Sequence, residues 1–220
     1  MRFKEFIDID SLRHAKIDEK PVKNYKGDYK NLDIAKPSSN GSDKTYQELN
    51  DMQDMFKDRN EVIEKSVKDH DDQVGYAVKK YLEDNNLEFK ESDIDKIAEI
   101  GSGIVRYYKN KFERVRPYQL AEALNMKFDH MPLDSDSMKS PAYPSGHSLQ
   151  SRLIAEYYAE QYPEHKKGLI EGAEECGKGR IYAGWHYPSD HTASVKLAKQ
   201  IYPNITMRKT FKESIIDIPS

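Results

Sequence analysis

From Tyr46 onward apolar side chains return every three or four positions, an asparagine pair closes one run, and a proline or glycine bounds each of the last three. Tyr46, Leu49, Met52, Met55 and Phe56 share one helical face, with Ser42 or Asp43 placed to cap it. Val62, Ile63 and Val67 outline a second helix. Val74, Ala77, Val78, Tyr81 and Leu82 outline a third, which Asn85-Asn86 end. Ser92-Asp93-Ile94-Asp95 reads as a capping box ahead of a stripe of Ile94, Ile97, Ala98, Ile104, Val105 and Tyr108 that continues through Gly101 and Gly103. That helix should reach the vicinity of Lys109 and stop before Pro117, whose ring disfavours helical geometry at Arg116. Further helices are expected over 146–161, 164–181 and 188–201, with 126–143 as a loop. No strand run or internal repeat appears. Helix faces must therefore bury one another, and the expected fold is an all-α, single-domain helical bundle.

Residues 1–41 are polar and irregular and close on the loop-forming cluster Lys36 to Ser42. They read as an extended N-terminal arm, 42–205 as the helical domain and 206–220 as a C-terminal tail. Lys plus Arg number 35 against 38 Asp plus Glu, a net charge of −3, which offers no long-range attraction to nucleic acid or to an anionic membrane. Neither is expected as a partner, and any anion site must be local. Met1 to Asp10 lacks the apolar run of a signal peptide, and no 18-residue apolar stretch occurs. A cytoplasmic location is the expectation. Cys176 is the single cysteine, so an internal disulfide and a thiolate-rich metal site are excluded, and it reads as a small apolar residue in a helix.

Three stretches carry chemistry. Lys109 and Arg116 are seven apart, two turns of a continuous helix, so both cations could approach one anion; a basic helix end also simply complements the helix dipole. Pro144-Ser145-Gly146-His147 leads into Leu149, Leu153, Ile154, Tyr157 and Tyr158, which puts backbone N–H groups at a helix start where a phosphate is favoured. Gly146 would let an anion approach the backbone, Ser145 could donate its hydroxyl or serve as an ordinary N-cap, and His147 stands in the first turn. In the third stretch Arg180 offers a planar fork for two oxygens. Asp190 follows His186 by one helical turn, where a carboxylate can hold one ring nitrogen and leave the other free as a nucleophile, or make a structural pair.

Together, Lys109 with Arg116-Pro117, then Pro144-Ser145-Gly146-His147, then Arg180 with His186 and Asp190 resemble the three-part signature of the type 2 phosphatidic acid phosphatase superfamily, which includes the soluble class A bacterial acid phosphatases and the vanadium haloperoxidases. One position departs: the family usually has Ser before the third-piece Arg, and this chain has Gly179. The resemblance implies a metal-independent phosphomonoesterase of a helical-bundle fold. His186 would attack phosphorus and carry a phosphohistidine, Asp190 would hold its tautomer, and His147 would protonate the leaving alcohol and then activate water. Lys109, Arg116, Arg180, Ser145 and Gly146 would bind the phosphate oxygens. No cofactor or metal is implied; vanadate would act as an inhibitor.

The substrate is expected to be a small phosphate ester, such as a nucleotide or sugar phosphate, and association into a homo-oligomer fits related soluble phosphatases. The leaving group would be chosen by loop 126–143 and by Tyr118, Tyr143, Tyr182 or Trp185, whose rings could stack on a nucleobase or pack in the core. His191, outside the signature, reads as an exposed or helix-surface residue. A bell-shaped rate profile centred below neutrality follows from needing His186 neutral and His147 protonated. The alternatives are a vanadate-dependent haloperoxidase, with vanadate as its cofactor on His186, and a non-catalytic phosphate-binding protein, to which Gly179 points.

Overall fold

The computed structural model describes residues 12, 14, 16–132 and 136–207. Among them no strand is present beyond one isolated bridge, Tyr25 to Ile205. The helices are α1 (Asp43–Phe56), α2 (Glu61–Asp72), α3 (Tyr76–Asp84), α4 (Glu91–Phe112), α5 (Pro117–Ala123), α6 (Gly146–Gln161), α7 (Lys166–Tyr182) and α8 (Pro188–Ile201). None of them is long and apolar enough to cross a membrane. The fold is all-α, as the periodicity requires.

α6 is the central element. Leu149, Leu153, Ile154, Ala155, Tyr157 and Tyr158 are buried around it, and it packs against α4, α7 and α8. A helix apolar on so much of its circumference has no solvent face to keep, so three neighbours cover it. α4 supplies Ile94, Ile97, Ile100, Ile104, Val105 and Tyr108 to the same core. Its glycines are close-approach positions. A Cβ at Gly101 would lie 2.9 Å from Gln150 Cγ of α6, and one at Gly103 would lie 2.9 Å from Val22 Cγ2 of the N-terminal segment. A smaller core of Leu49, Met52, Val115, Leu120, Ile181 and Tyr187 joins α1 and α5 to the ends of α7 and α8.

Local expectations were mostly met, and the exceptions have identifiable causes. Ser42 caps α1, its Oγ accepting from the Thr45 amide at 3.2 Å. The Ser92 capping box does not form: α4 starts at Glu91 with Lys90 as its N-cap. Tyr158 Oη from α6 reaches both the Lys90 N–H and the Lys90 carbonyl at 3.3 Å, so a tertiary contact sets that start. α4 runs to Phe112 and ends on Glu113 in the left-handed region, φ 48°. Lys109 and Arg116 therefore do not share a continuous helix. Arg116 is the extended N-cap of α5, a helix that the apolar spacing did not reveal although Pro117 at its first position is a start signal. Residues 16–41 run along α4 and α8 with only a short 3₁₀ turn at Tyr29–Asn31, and Tyr108 Oη ties them down by donating to the Tyr29 carbonyl at 2.8 Å and accepting from the Leu32 amide at 3.1 Å. Most of the sequence assigned to the arm's first fifteen residues, and residues 208–220 of the tail, lie outside the described residues.

Gly101→Val should destabilise the fold by about 1–3 kcal/mol, because the added atoms enter the α4–α6 contact. Gly179→Ala should be neutral or stabilising by up to about 1 kcal/mol, since its Cβ would meet Val67 Cγ2 at an ordinary 3.4 Å in a helix interior. Urea unfolding of the two variants beside the parent checks both.

Candidate active site

The end of α4, the turn into α5, the start of α6, the end of α7 and the start of α8 meet at one end of the bundle. Each brings a residue the sequence singled out. A cleft of about 380 Å³ opens there, and Lys109, Arg116, Gly146, His147 and His186 are in its lining.

His186 sits in the turn between α7 and α8 and is 3 % exposed. Arg116 Nη1 donates to its Nε2 at 2.9 Å, and a guanidinium can only donate, so Nε2 carries a lone pair. The ring proton is therefore on Nδ1, which donates to Asp190 Oδ2 at 3.1 Å. Asp190, in the first turn of α8, is fully buried and also accepts from the Tyr187 amide at 3.0 Å and from Arg114 Nη1 at 2.6 Å. Orientation and tautomer of the imidazole are thus both set, with the lone pair at Nε2, facing Arg116.

Arg114 was not anticipated. It lies between the two cations of the first stretch, is 2 % exposed, and bridges Asp190 to Glu48 of α1, donating from Nη2 to Glu48 Oε2 at 2.8 Å. Glu48 Oε1 in turn accepts from the Ser189 amide at 2.8 Å. Arg114 also stacks over Tyr187, 3.8 Å from the ring centroid. Nothing in the linear spacing of Glu48, Arg114 and Asp190 links them.

Ser140, within the loop over 126–143, gathers the other two cations. Lys109 Nζ donates to Ser140 Oγ at 3.0 Å and to the Pro141 carbonyl, and Arg116 donates from Nε to the Ser140 carbonyl at 2.8 Å and from Nη2 to its Oγ at 3.2 Å. Burial, and then the charge of Arg116, holds Lys109 well below its usual value. Burial pushes Arg116 down to about 10, which still leaves it charged at neutral pH.

At the start of α6, Ser145 acts as the N-cap: it is fully buried, and its Oγ accepts from the Ser148 amide at 3.4 Å and the Ser148 hydroxyl at 2.9 Å. It does not line the cleft. Gly146 does, and as the first amides of the helix, Gly146 and His147 N–H have no carbonyl one turn back to receive them. A Cβ on Gly146 would find its nearest neighbours at 3.6 and 3.7 Å, so packing alone does not demand glycine there. His147 Nε2 is buried without a hydrogen-bond partner, 3.8 Å from Asp71 Oδ1 of α2. Burial first, then Arg180, lowers His147 well below its usual value; burial and then Arg116 do the same to His186.

Arg180 is close to these imidazoles but is not in the lining. Nη1 donates to Asp71 Oδ1 at 2.9 Å and Nη2 to the Val67 carbonyl at 2.5 Å, leaving Nε buried and unpartnered. Asp71 is a further neighbour of the site that the sequence did not signal. Of the aromatic candidates, Tyr143 and Trp185 are packed inside, Tyr143 Oη donating to the Ala35 carbonyl and Trp185 Nε1 to the Met131 carbonyl. They are core residues and offer no stacking face. Tyr118 is half-buried and stacks on His130. His191 is not exposed: at 12 % side-chain exposure it joins Ser148 Oγ and Glu174 Oε2, both at 3.0 Å, and so links α8 to α6 and α7. Cys176 is buried in α7.

Residues 97–199 match the family model of the PAP2 superfamily. The chain is 26% identical over 122 residues to the non-specific acid phosphatase of Providencia stuartii, covering 54% of this chain and 47% of that protein. With the non-specific acid phosphatase of Salmonella typhimurium the identity is 27% over 114 residues, 50% of this chain and 43% of that one. The chain thus spans about half the length of the curated relatives it matches. Its fold is similar to the crystal structure of a transmembrane PAP2 type phosphatidylglycerolphosphate phosphatase from Bacillus subtilis, with a TM-score of 0.50 and 19% identity over 81% of this chain and 91% of that one.

Arg114→Met should cost about 3–5 kcal/mol of stability at pH 7, because two buried carboxylates lose the charge that holds them. Adding Glu48→Gln should recover part of that loss, and urea denaturation of the single and double variants measures both.

Proposed function

We propose that this PAP2-superfamily chain is a phosphomonoesterase that works through a phosphohistidine on His186. The observation that carries the reading is the Arg116–His186–Asp190 chain of hydrogen bonds, which leaves an uncharged imidazole with its lone pair at a cation-lined cleft. A structural His–Asp pair would need no such arrangement on its far nitrogen.

The phosphate of the substrate enters among Lys109, Arg116 and the first amides of α6. Its oxygens take the Arg116 and Lys109 donors now turned to Ser140, Pro141 and His186, and the released Nε2 lone pair attacks phosphorus. As His186 bonds to phosphorus it becomes cationic, and Asp190, accepting from Nδ1–H, offsets that charge. His147 gives a proton to the leaving alkoxide and then takes one from the water that cleaves the phosphohistidine. Arg180 needs only to exchange its Asp71 or Val67 bond to add a third cation; the free Nε shows that its present contacts leave a donor unused. Phosphoryl transfer asks mainly for positioning and charge stabilisation, and fixed cations with a helix start supply both. A metal-independent reaction on small phosphate esters fits this donor set.

The protonation states require the substrate. In the free protein His147 is lowered, so it is neutral near pH 6.5 and lacks the proton that general-acid catalysis requires. A phosphate dianion beside it raises that pKa, or the ester arrives as a monoanion and brings the proton in. Since the second phosphate pKa lies near 6, kcat/KM should fall above about pH 6, which places the optimum on the acid side.

p-Nitrophenyl phosphate at pH 5–6 with excess EDTA should be hydrolysed by the parent and blocked by orthovanadate, and His186→Ala should lose about a thousandfold or more. A folded parent that binds vanadate without turnover would overturn hydrolysis. Calorimetry of orthophosphate binding in buffers of different ionisation enthalpy should show uptake approaching one proton at about pH 8 and much less at about pH 5, where the ligand arrives already protonated.

A further inference from the structure

The cleft extends past the residues that hold the reacting phosphate. Ser102 and Arg106 of α4, Lys139 and Ile17 are also in its lining. Arg106 and Ser102 precede Lys109 by three and seven residues, so they continue its helix face by about 4.5 and 10 Å of axial rise. The whole volume, about 380 Å³, is in the range of small-molecule sites and exceeds what one phosphate group needs.

Arg106 is half-buried, and its Nη1 donates to the Asp18 carbonyl at 3.3 Å; no carboxylate among the described residues pairs with it. That wall of the cleft is pinned. The Ile17 amide donates to Asn110 Oδ1 at 3.0 Å, and Asn110 Nδ2 donates back to the Ile17 carbonyl at 2.8 Å. A second guanidinium held toward a cleft that already contains Lys109 and Arg116 works against both, and Arg106 is one of the charges that lower Lys109. Such a cation is favourable when a ligand brings a countercharge to it.

We propose that the cleft takes phosphomonoesters whose leaving group carries a second anionic group, a phosphate or a carboxylate, held by Arg106 with Ser102 and Lys139 beside it. This rests on the phosphatase reading only for the fate of the first phosphate. The second group needs a planar bidentate donor a little under one helical turn from the first, which Arg106 supplies.

Calorimetric binding of propane-1,3-diyl bisphosphonate, 4-phosphonobutyrate and propylphosphonate to the parent and to Arg106→Gln tests this without turnover. In the parent at least one of the two ligands with a second anionic group should bind about tenfold or more tightly than propylphosphonate, and which one does so tells phosphate from carboxylate. Arg106→Gln should reduce that advantage to about twofold and leave propylphosphonate unchanged, while Arg106→Lys keeps part of it. Equal affinities in the parent, or an advantage that survives in Arg106→Gln, would overturn the subsite. Should Arg106→Gln fail to fold, the parent's preference must weaken with added salt while propylphosphonate shifts less; a salt-independent preference rejects the subsite. Parallel hydrolysis of propyl phosphate and 1,3-propanediol bisphosphate separates the two readings: an Arg106-dependent binding preference without turnover retains the subsite and discards the phosphatase, and turnover without preference does the reverse.

Discussion

One buried guanidinium organises this site from behind. Arg114 joins Glu48 on α1 to Asp190 on α8, and Asp190 holds the His186 ring. A carboxylate with no solvent exposure needs protein partners in place of water, and losing them would release the imidazole. Arg114 and the Tyr187 amide occupy Asp190 from the core side, and its Oδ2 accepts from Nδ1–H of His186. The nucleophile candidate is thus held from α1, through Arg114 and Asp190, by a chain of charge-assisted bonds, and its second nitrogen has one remaining direction to face.

The front of the site has the opposite character. Lys109, Arg116 and Arg180 are all nearly inaccessible, and their charges bear on two imidazoles that burial already keeps neutral. Ser140, the Pro141 and Trp185 carbonyls, Asp71 and the Val67 carbonyl occupy many of their donors in the free protein. All of these but Asp71 are uncharged groups that satisfy hydrogen bonds without supplying charge, so a phosphate gains from exchanging with them. The cluster is preorganised for an anion, and the cost of assembling it is met in folding by the α4–α6–α7–α8 core.

Much of this was legible in order but not in connection. The apolar spacing marked α1–α4 and α6–α8, with Asn-Asn, Pro or Gly bounding α3 and α6–α8, because a helix that buries one face must repeat near 3.6 residues whatever it packs against. α5 was missed because it is short and its start depends on Pro117 and the Arg116 backbone. The α4 start was misplaced because Tyr158, 68 residues away, occupies Lys90. Lys109, Arg116, Gly146, His147 and His186 were recognisable as candidates, and they do share one cleft. The route by which Lys109 and Arg116 converge differs from a common helix face: a left-handed Glu113 turns the chain, and Ser140 collects both side chains.

The sequence by itself determined the all-α class, the helix start at Ser145 and the local His186–Asp190 pair, since each depends on contacts within a turn or so of helix. Glu48, Arg114, Ser140 and Asp71 acquired their places only through tertiary structure, as did the bonds of His191 to α6 and α7 and the burial of Trp185. The physical reason is range. A hydrogen bond between Glu48 and Arg114 spans 66 residues, and no periodicity encodes it; it exists because packing α1 against the α4–α5 turn removes both charges from water and leaves each other as the available partner.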